Sequence, residues 1–406
     1  MAGLYLHIPF CQHKCSYCDF YSIERTSEIA SFVPVLCREI NMRKELWPKP
    51  SPPFTSVFFG GGTPSLLHPQ QLEYIVKTLR DCYTFSDDCE WTMECNPGTV
   101  SLESLGLYRE AGINRLSFGV QSFNERDLRF LERIHNASDV ISCVSQARSV
   151  GFDNINLDIM FALPGQTIND YDVTLRRILE LEPEHVSAYS LIYEEGTPLH
   201  AQLLRGEVQP SSEDVDARMY EHTIDALEHH GYSQYEVSNF AKSGHRCRHN
   251  LCYWHGDNYL AFGPSAHGYV DTTRYRNIRN ISRYMECVTA GNIPTIGSET
   301  LTREQQMFES VFLGLRSTGI DVVSLHQSFG CNLAELIRTD EPWLEDEGFV
   351  NIDNAVSLTK KGFLICDDLT LRLIKRVENR MGIEWEPPSS HDDEIDDSIQ
   401  HPLNVL

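Results

Sequence analysis

Tyr5-Leu6-His7-Ile8-Pro9-Phe10-Cys11-Gln12-His13-Lys14-Cys15-Ser16-Tyr17-Cys18 joins a short strand-like run directly to three cysteines spaced Cys-x3-Cys-x2-Cys. Residues 4–8 read as a buried strand, and the loop after it holds three thiols within a few residues of one another. Thiolates are the soft ligands that iron–sulfur clusters use, and each can take a different iron of a cubane. Three ligands leave one iron open to a chelating cosubstrate. A zinc site of four cysteines fits poorly, because no fourth cysteine stands at a Cys-x-x-Cys interval. Two other readings stay open on these residues alone: chance proximity, and a three-cysteine zinc site completed by His7 or His13.

Strand-like and helix-like segments alternate from the triplet to about residue 200. The strand-like runs are 4–8, 56–59, 90–94, 115–119, 154–160 and 186–191. Between them lie helical patterns at 167–181, with Thr167 as N-cap, at 138–150, stopped by Gly151, and from Ser101 to Gly112. Six such repeats imply a parallel sheet covered by helices. Doubly wound and barrel forms share this pattern, and in both the ligands gather at the carboxyl ends of the strands. Beyond residue 200 the alternation stops. A polar helix at 212–230, a short strand at 235–237 and a segment rich in His, Gly and aromatics at 244–270 follow. From 302 to 374 helices precede strand-like runs at 349–352 and 355–358, a winged-helix-like pattern. The expected division is a core at 1–235, a connecting segment at 236–300, a winged-helix-like domain at 301–380 and an acidic tail at 381–406.

A chain of 406 residues is longer than one core usually accommodates, and 41% hydrophobic with 23% charged residues is ordinary globular composition. No run of about 18 apolar residues occurs, so no transmembrane helix is expected. The formal charge of −24, part of it in His391-Asp392-Asp393-Glu394-Ile395-Asp396-Asp397, argues against sequence-independent nucleic-acid binding, which needs a basic footprint. Thirteen scattered cysteines without an export signal argue for the cytosol and against a disulfide scaffold. Cys37, Cys82, Cys143, Cys287 and Cys366 fall in apolar-periodic segments and read as small buried residues.

Polar residues stand at successive strand ends. Gly60-Gly61-Gly62-Thr63-Pro64 follows the second strand, Glu94 ends the third, Gln121 the fourth and Asp158 the fifth, with Arg133 beyond the fourth. Glycines let a backbone approach a ligand closely, although this run lacks the Gly-Lys-Ser/Thr of a phosphate loop. Taken singly, each polar residue is more often an ion-paired surface group. Together they are what a pocket at the carboxyl edge requires.

The opening motif and its triplet resemble the radical SAM superfamily, in its coproporphyrinogen III dehydrogenase-like (anaerobic coproporphyrinogen oxidase) branch, and within that branch the HemW haem chaperones. The likeness runs from Tyr5 to about residue 375. It implies an α/β fold, a partial (β/α)6 TIM-like barrel with a C-terminal helical, winged-helix-like region. It also implies a [4Fe–4S] cluster on Cys11, Cys15 and Cys18, and S-adenosylmethionine held by Tyr5, Tyr17, Gly61, Gly62, Thr63, Glu94, Gln121, Arg133 and Asp158. In this reading Arg133 takes the carboxylate and the tyrosines pack beside cluster and adenine. Haem, a haem-acceptor protein and an electron donor such as a flavodoxin or ferredoxin are the implied partners; a homodimer is left open.

Two functions share the branch: haem binding and transfer, and oxygen-independent coproporphyrinogen III oxidation. The oxidases typically extend the triplet as Cys-x-Cys, whereas Cys18-Asp19-Phe20 has no fourth cysteine, and they carry a longer segment before it. His249-Asn250-Leu251-Cys252-Tyr253-Trp254 matches the His-Asn-x-x-Tyr-Trp motif of HemW proteins. The resemblance makes His249 a candidate axial haem ligand, with Cys247, Cys252, His255 and His267 as neighbours that could serve instead. The other reading of His249 is a hydrogen-bonded core residue.

Overall fold

Six parallel strands pair in chain order: β1 (Ala2–Ile8), β2 (Phe54–Gly61), β3 (Phe85–Cys95), β4 (Arg115–Gln121), β5 (Ile155–Phe161) and β6 (His185–Ser190). They belong to a computed structural model that describes residues 1–47 and 52–383. A doubly wound sheet reverses its strand order part-way; this one does not. Right-handed crossovers in an unreversed order put every helix on one face and curve the sheet around the other.

Side-chain alternation shows the two faces. Leu4, Leu6, Ile8, Val57, Phe59, Met93, Leu116, Phe118, Leu157 and Ile159 are fully buried. The residues between them are Tyr5, His7, Phe58, Glu94, Ser117, Asn156 and Asp158, and the register keeps them on the opposite face. The outer face is therefore hydrocarbon against helices and the inner face polar and aromatic. The open question of barrel against doubly wound sheet is answered as a partial (β/α)6 barrel.

The helices start where their caps dictate. Thr167 accepts from the Asp170 amide at the start of Ile168–Glu180, and Ser101 from the Ser104 amide before Leu102–Ala111. Gly112 ends the latter at φ 110°, a conformation in which a Cβ is disfavoured.

The sheet continues past both ends of this core without closing. Beyond β6 lie β8 (Asn239–Ala241) and, pairing with it, β7 (Ser233–Gln234). The strand expected at 235–237 is instead the turn between these two. Beyond β1 lie β9 (Asn258–Phe262), parallel to it, and then antiparallel β10 (His267–Val270), β11 (Thr273–Asn277) and β12 (Thr295–Thr300). Leu260, Phe262, Ile281, Tyr284 and Val288 join the same apolar core as β1–β6, so residues 236–300 pack into the barrel wall.

A second core, from Met307 to Val377, belongs to the C-terminal part. Helices Arg303–Leu315, Val322–Phe329, Leu333–Asp340 and Cys366–Met381 surround a small sheet of β13 (Ile320–Asp321), β14 (Val350–Ile352) and β15 (Ala355–Leu358), ordered β13-β15-β14. It docks on the barrel where the Val237 amide donates to the Arg316 carbonyl (3.0 Å) and Arg274 pairs with Glu309. Among the described residues no helix is long and apolar enough to cross a membrane. The acidic stretch from His391 to Asp397 lies outside the described residues.

Candidate functional site

The cysteine triplet occupies a loop tied at its base. Cys11 N donates to the Ile23 carbonyl (2.9 Å) and Ile23 N to that of Pro9 (2.7 Å), so residues 11–22 leave and rejoin the end of β1. The glycine run after β2 lies against this base. Gly62 N donates to Ile8 O (2.9 Å) and Thr63 N to Phe10 O (2.7 Å), while Thr63 Oγ1 reaches Cys11 Sγ (3.6 Å). A Cβ on Gly62 would come within 2.7 Å of the Phe10 carbonyl oxygen, and one on Gly61, at φ 108°, within 2.6 Å of the His7 ring. The demand for glycine here comes from the close packing of the two loops themselves.

Cys15 is buried, Cys11 and Cys18 are half-buried, and all three are unpaired. Burial pushes the Cys11 thiol up and that of Cys18 up to about 12. Thiols raised in this way become thiolates most readily beside compensating positive charge, which bound iron would supply. His13 lies between Glu24 (3.3 Å) and Glu132 (3.2 Å). His7 has both ring nitrogens engaged, by the Tyr5 hydroxyl (3.1 Å) and the Tyr21 carbonyl (2.8 Å). No three His, Cys, Asp or Glu side chains among the described residues close on a single-ion site. A cubane asks for three thiols that each take a different iron.

Arg133 links the loop to the strand ends. Its Nη1 donates to Cys15 Sγ (3.7 Å), and its Nη2 to Asn96 Oδ1 (2.6 Å) and Gly119 O (2.7 Å). Its buried Nε has no partner. A buried guanidinium donor without a partner, on a side chain that also reaches Cys15, suits an anionic ligand group. Tyr17 lies within hydrogen-bonding reach of Arg133, which is the largest influence opposing the upward push of burial on its hydroxyl. Glu94 accepts from the Gly61 amide (3.2 Å), and burial with the nearby Asp158 pushes it up to about 8. Asp158, also raised by burial, accepts from Asn156 (2.7 Å) and Ser117 (3.4 Å). Gln121, Glu132 and Ala162 have φ of 66°, 52° and 57°. Left-handed backbone in non-glycine residues at the carboxyl edge is a hallmark of a functional rim. The fold thus brings Tyr5, Tyr17, Thr63, Glu94, Gln121, Arg133 and Asp158 to the edge and inner wall beside the triplet.

His249 lies deeper in the barrel, in contact with Tyr5. Helix Arg248–Trp254 plugs the barrel floor, where a Cβ on Gly3 at the start of β1 would come within 3.1 Å of the His249 ring. The ring is 1% exposed and packs in a triangle with Tyr5 and Phe58, whose own rings also stack on each other. Its Nδ1 bonds Ser56 Oγ (3.0 Å) and its Nε2 the Tyr253 hydroxyl (2.8 Å). Burial, and after it Arg115, lowers its pKa to about 3, so the imidazole is neutral. An axial iron ligand needs a ring nitrogen with a free lone pair facing open space, and this arrangement commits both.

The sequence profile of the radical SAM superfamily matches residues 5–178, and that of the HemN C-terminal domain residues 301–365. The chain is 37% identical over 374 residues to the Heme chaperone HemW of Bacillus subtilis, covering 91% of this chain and 98% of that one. The chain belongs to the HemW family. It is also 39% identical over 268 residues to Radical S-adenosyl methionine domain-containing protein 1, mitochondrial, of Danio rerio, covering 66% of this chain and 60% of that protein. Among solved structures, coproporphyrinogen III oxidase (HemN) from Escherichia coli superposes with a TM-score of 0.78 at 24% identity, over 93% of this chain and 90% of that one. At that identity the likeness is one of fold.

The inner wall of this HemW-family barrel carries polar groups that the linear motifs did not mark. Asn156 receives Ser187 Oγ (3.1 Å), donates to Ser117 (2.7 Å) and bonds His185, whose other nitrogen meets the Tyr235 hydroxyl (2.8 Å). Arg115, also buried, sits in the field of Glu90 and Asp158. The signal was present as polar residues two apart within otherwise apolar parallel strands, such as Asn156 and Asp158 in β5. It is faint against core strands buried on both faces.

Proposed function

We propose that this protein binds haem and hands it to an acceptor protein, while holding a [4Fe–4S] cluster on Cys11, Cys15 and Cys18 with S-adenosylmethionine against it. The observation that carries the reading is the likeness to the Bacillus subtilis Heme chaperone HemW along 91% of the chain. The cysteine loop at the carboxyl edge of a radical SAM barrel supports the cofactor part. When bound, the cluster supplies an open iron for the amino-acid end of S-adenosylmethionine and an electron for its sulfonium.

The chain's own residues then bind and orient. Arg133, with its unmatched Nε, takes the carboxylate. Glu94 and Asp158, both held towards their neutral forms, become favourable counter-charges when a cationic cosubstrate replaces water. Tyr5 and Tyr17 wall the adenine side, and Thr63 and the loop amides fix the cysteine loop against β2. His249 forms the floor of the barrel, and haem binds at the mouth. A flavodoxin or ferredoxin is the proposed electron donor. The cytosol is the proposed compartment, on the strength of thirteen cysteines none of which is paired; cell fractionation checks it.

The test is anaerobic reconstitution followed by haem titration. A full cubane of iron and sulfide per chain is expected in the wild type and none in the variant with Cys11, Cys15 and Cys18 replaced by alanine. Tight haem binding without decarboxylation of coproporphyrinogen III is expected alongside. Turnover of the porphyrinogen, or cluster retained without the three thiols, overturns the reading.

A further inference from the structure

Cations gather at one edge of the barrel mouth in a chain of formal charge −24. β9 runs parallel to β1, β10 turns back, and β11 runs with β9 again. His267 at the start of β10 and Arg276 near the end of β11 therefore sit at the same edge as the cysteine loop. They are paired directly across the two strands and share a face. That face is the inner one. Tyr275, between Arg274 and Arg276, turns outward, its ring under Arg43 of the outer helix Ile29–Arg43 (4.4 Å). Arg279 follows β11 and lies over the ring of Tyr21, a residue of the cysteine loop (5.6 Å).

Cross-strand neighbours in sheets favour opposite charges. Here an imidazole faces a guanidinium, and on the other side of Arg276 stands Gly297 of β12. A Cβ at 297 would come within 3.0 Å of Arg276 Nε, so the glycine keeps room for that side chain. Arg274, on the same face, pairs with Glu309 and stands across from Glu299. The His267 ring is lowered to about 4, by burial first and then by Arg276 and Arg274, and His7 in turn senses His267 and Arg279. Several groups therefore register positive potential at this edge. The edge is also held firmly: Asn277, next to Arg276, is buried and bonds Glu39 (2.8 Å), Arg43 (2.5 Å) and the Gly263 carbonyl (2.9 Å). On the β6 side the mouth exposes the apolar surfaces of Tyr189 and Ile192, beside Glu194 and Glu195, and Phe20 of the cysteine loop is exposed as well.

We propose that His267, Arg276 and Arg279 form the seat for the carboxylates of an amphipathic tetrapyrrole, the haem propionates, at the β10–β11 edge of the mouth. This rests on the haem-binding reading above and names where the ligand's charged edge goes. Guanidinium forks match carboxylates in geometry as well as charge, and a neutral imidazole beside them adds one hydrogen bond. The apolar side chains of the opposite rim suit the porphyrin face.

Difference-absorbance titration of the full chain with haem and with haem dimethyl ester, whose propionates are uncharged, tests the seat. Arg276→Ala/Arg279→Ala is expected to raise the Kd for haem by about tenfold or more. The wild type should lose a similar factor on going from haem to the ester, and the double variant should lose nothing further. Arg276→Lys/Arg279→Lys should recover part of the affinity. Unfolding midpoints and cluster absorbance are read alongside. If the double variant does not fold, Arg279→Ala alone, beyond the strand, should show a smaller loss with the same indifference to esterification. A wild type that binds haem and its ester equally, or variants that bind haem as the wild type does, overturns the seat while the chaperone reading stands. A wild type that binds no haem overturns both.

Discussion

Burial and the neighbouring Asp158 push Glu94 up to about 8 from an ordinary value of 4.5, against the Gly61 amide and the charge of Arg115. The folded protein therefore keeps a proton that the unfolded chain releases above the ordinary value. The stability this contributes is full below about 4.5 and is lost as pH rises through about 8. Each unit corresponds to about 1.4 kcal/mol, so the loss is on the order of a few kcal/mol. Glu94→Gln removes the titration. In urea unfolding of the cluster-free protein, the wild type should lose stability between pH 6 and pH 9 and the variant should lose clearly less; equal slopes would count against the buried carboxyl. His249 poses a different test. His249→Ala leaves Ser56 Oγ and the Tyr253 hydroxyl without their partner and opens a hollow beside Tyr5 and Phe58. The expected cost is about 3–5 kcal/mol, with the haem spectrum of the folded fraction unchanged. Loss of the haem band from a variant with a native unfolding midpoint would instead make His249 the iron ligand.

Helix Ile29–Arg43 is pinned to the β9–β11 extension by charges taken wholly out of water. Glu39 and Arg43 are 0% and 1% exposed and bond each other at 2.8 Å. The second oxygen of Glu39 takes the Gly263 amide (2.8 Å) and the Tyr284 hydroxyl (2.6 Å), while Arg43 reaches Thr295 (3.0 Å). Removing one partner strands the other, so Glu39→Ala should cost about 3–5 kcal/mol in urea unfolding. Replacing both with apolar residues of similar size should cost much less, and equal losses would mean that the pair stabilises by attraction alone. The same extension marks the limit of what the sequence discloses. β1 to β6 are legible because their outward residues form uninterrupted apolar columns and their helices begin at Ser101 and Thr167. β12 has no buried residue in Thr295–Thr300, and β9 finds β1 only across the whole barrel, so neither periodicity nor neighbourhood announces them. The site divides in the same way. The cysteines, Glu94 and Gln121 at the ends of their strands, and Asp158 in the middle of β5 are legible because they interrupt consecutive apolar strands. The partner of Asn156 (His185) is set by register between strands and that of Arg133 (Asn96) by a contact between two loops, and no linear motif carries either.

Besides a small apolar cluster at Leu131, Met160, Leu163, Leu191 and Leu199, the described residues form two large apolar cores, one built on the barrel and reaching Val288, the other running from Met307 to Val377. They meet through polar links such as Val237 to Arg316, Ser317 to Tyr235 (3.4 Å) and Arg274 to Glu309. Separate cores joined mainly by polar contacts behave as separate cooperative units. The proposed cluster and S-adenosylmethionine ligands, from Tyr5 to Asp158, all lie in the first unit. A ligand that binds only the folded form stabilises the unit containing its site, by an amount that grows with occupancy. Calorimetry of the full chain before and after anaerobic cluster loading should therefore show the barrel transition moving up while the C-terminal transition stays in place. With Cys11, Cys15 and Cys18 replaced by alanine, neither should move. If both units shift together on loading, the docking contacts couple them into one cooperative body, and what binds at the barrel mouth is felt by the C-terminal helices as well.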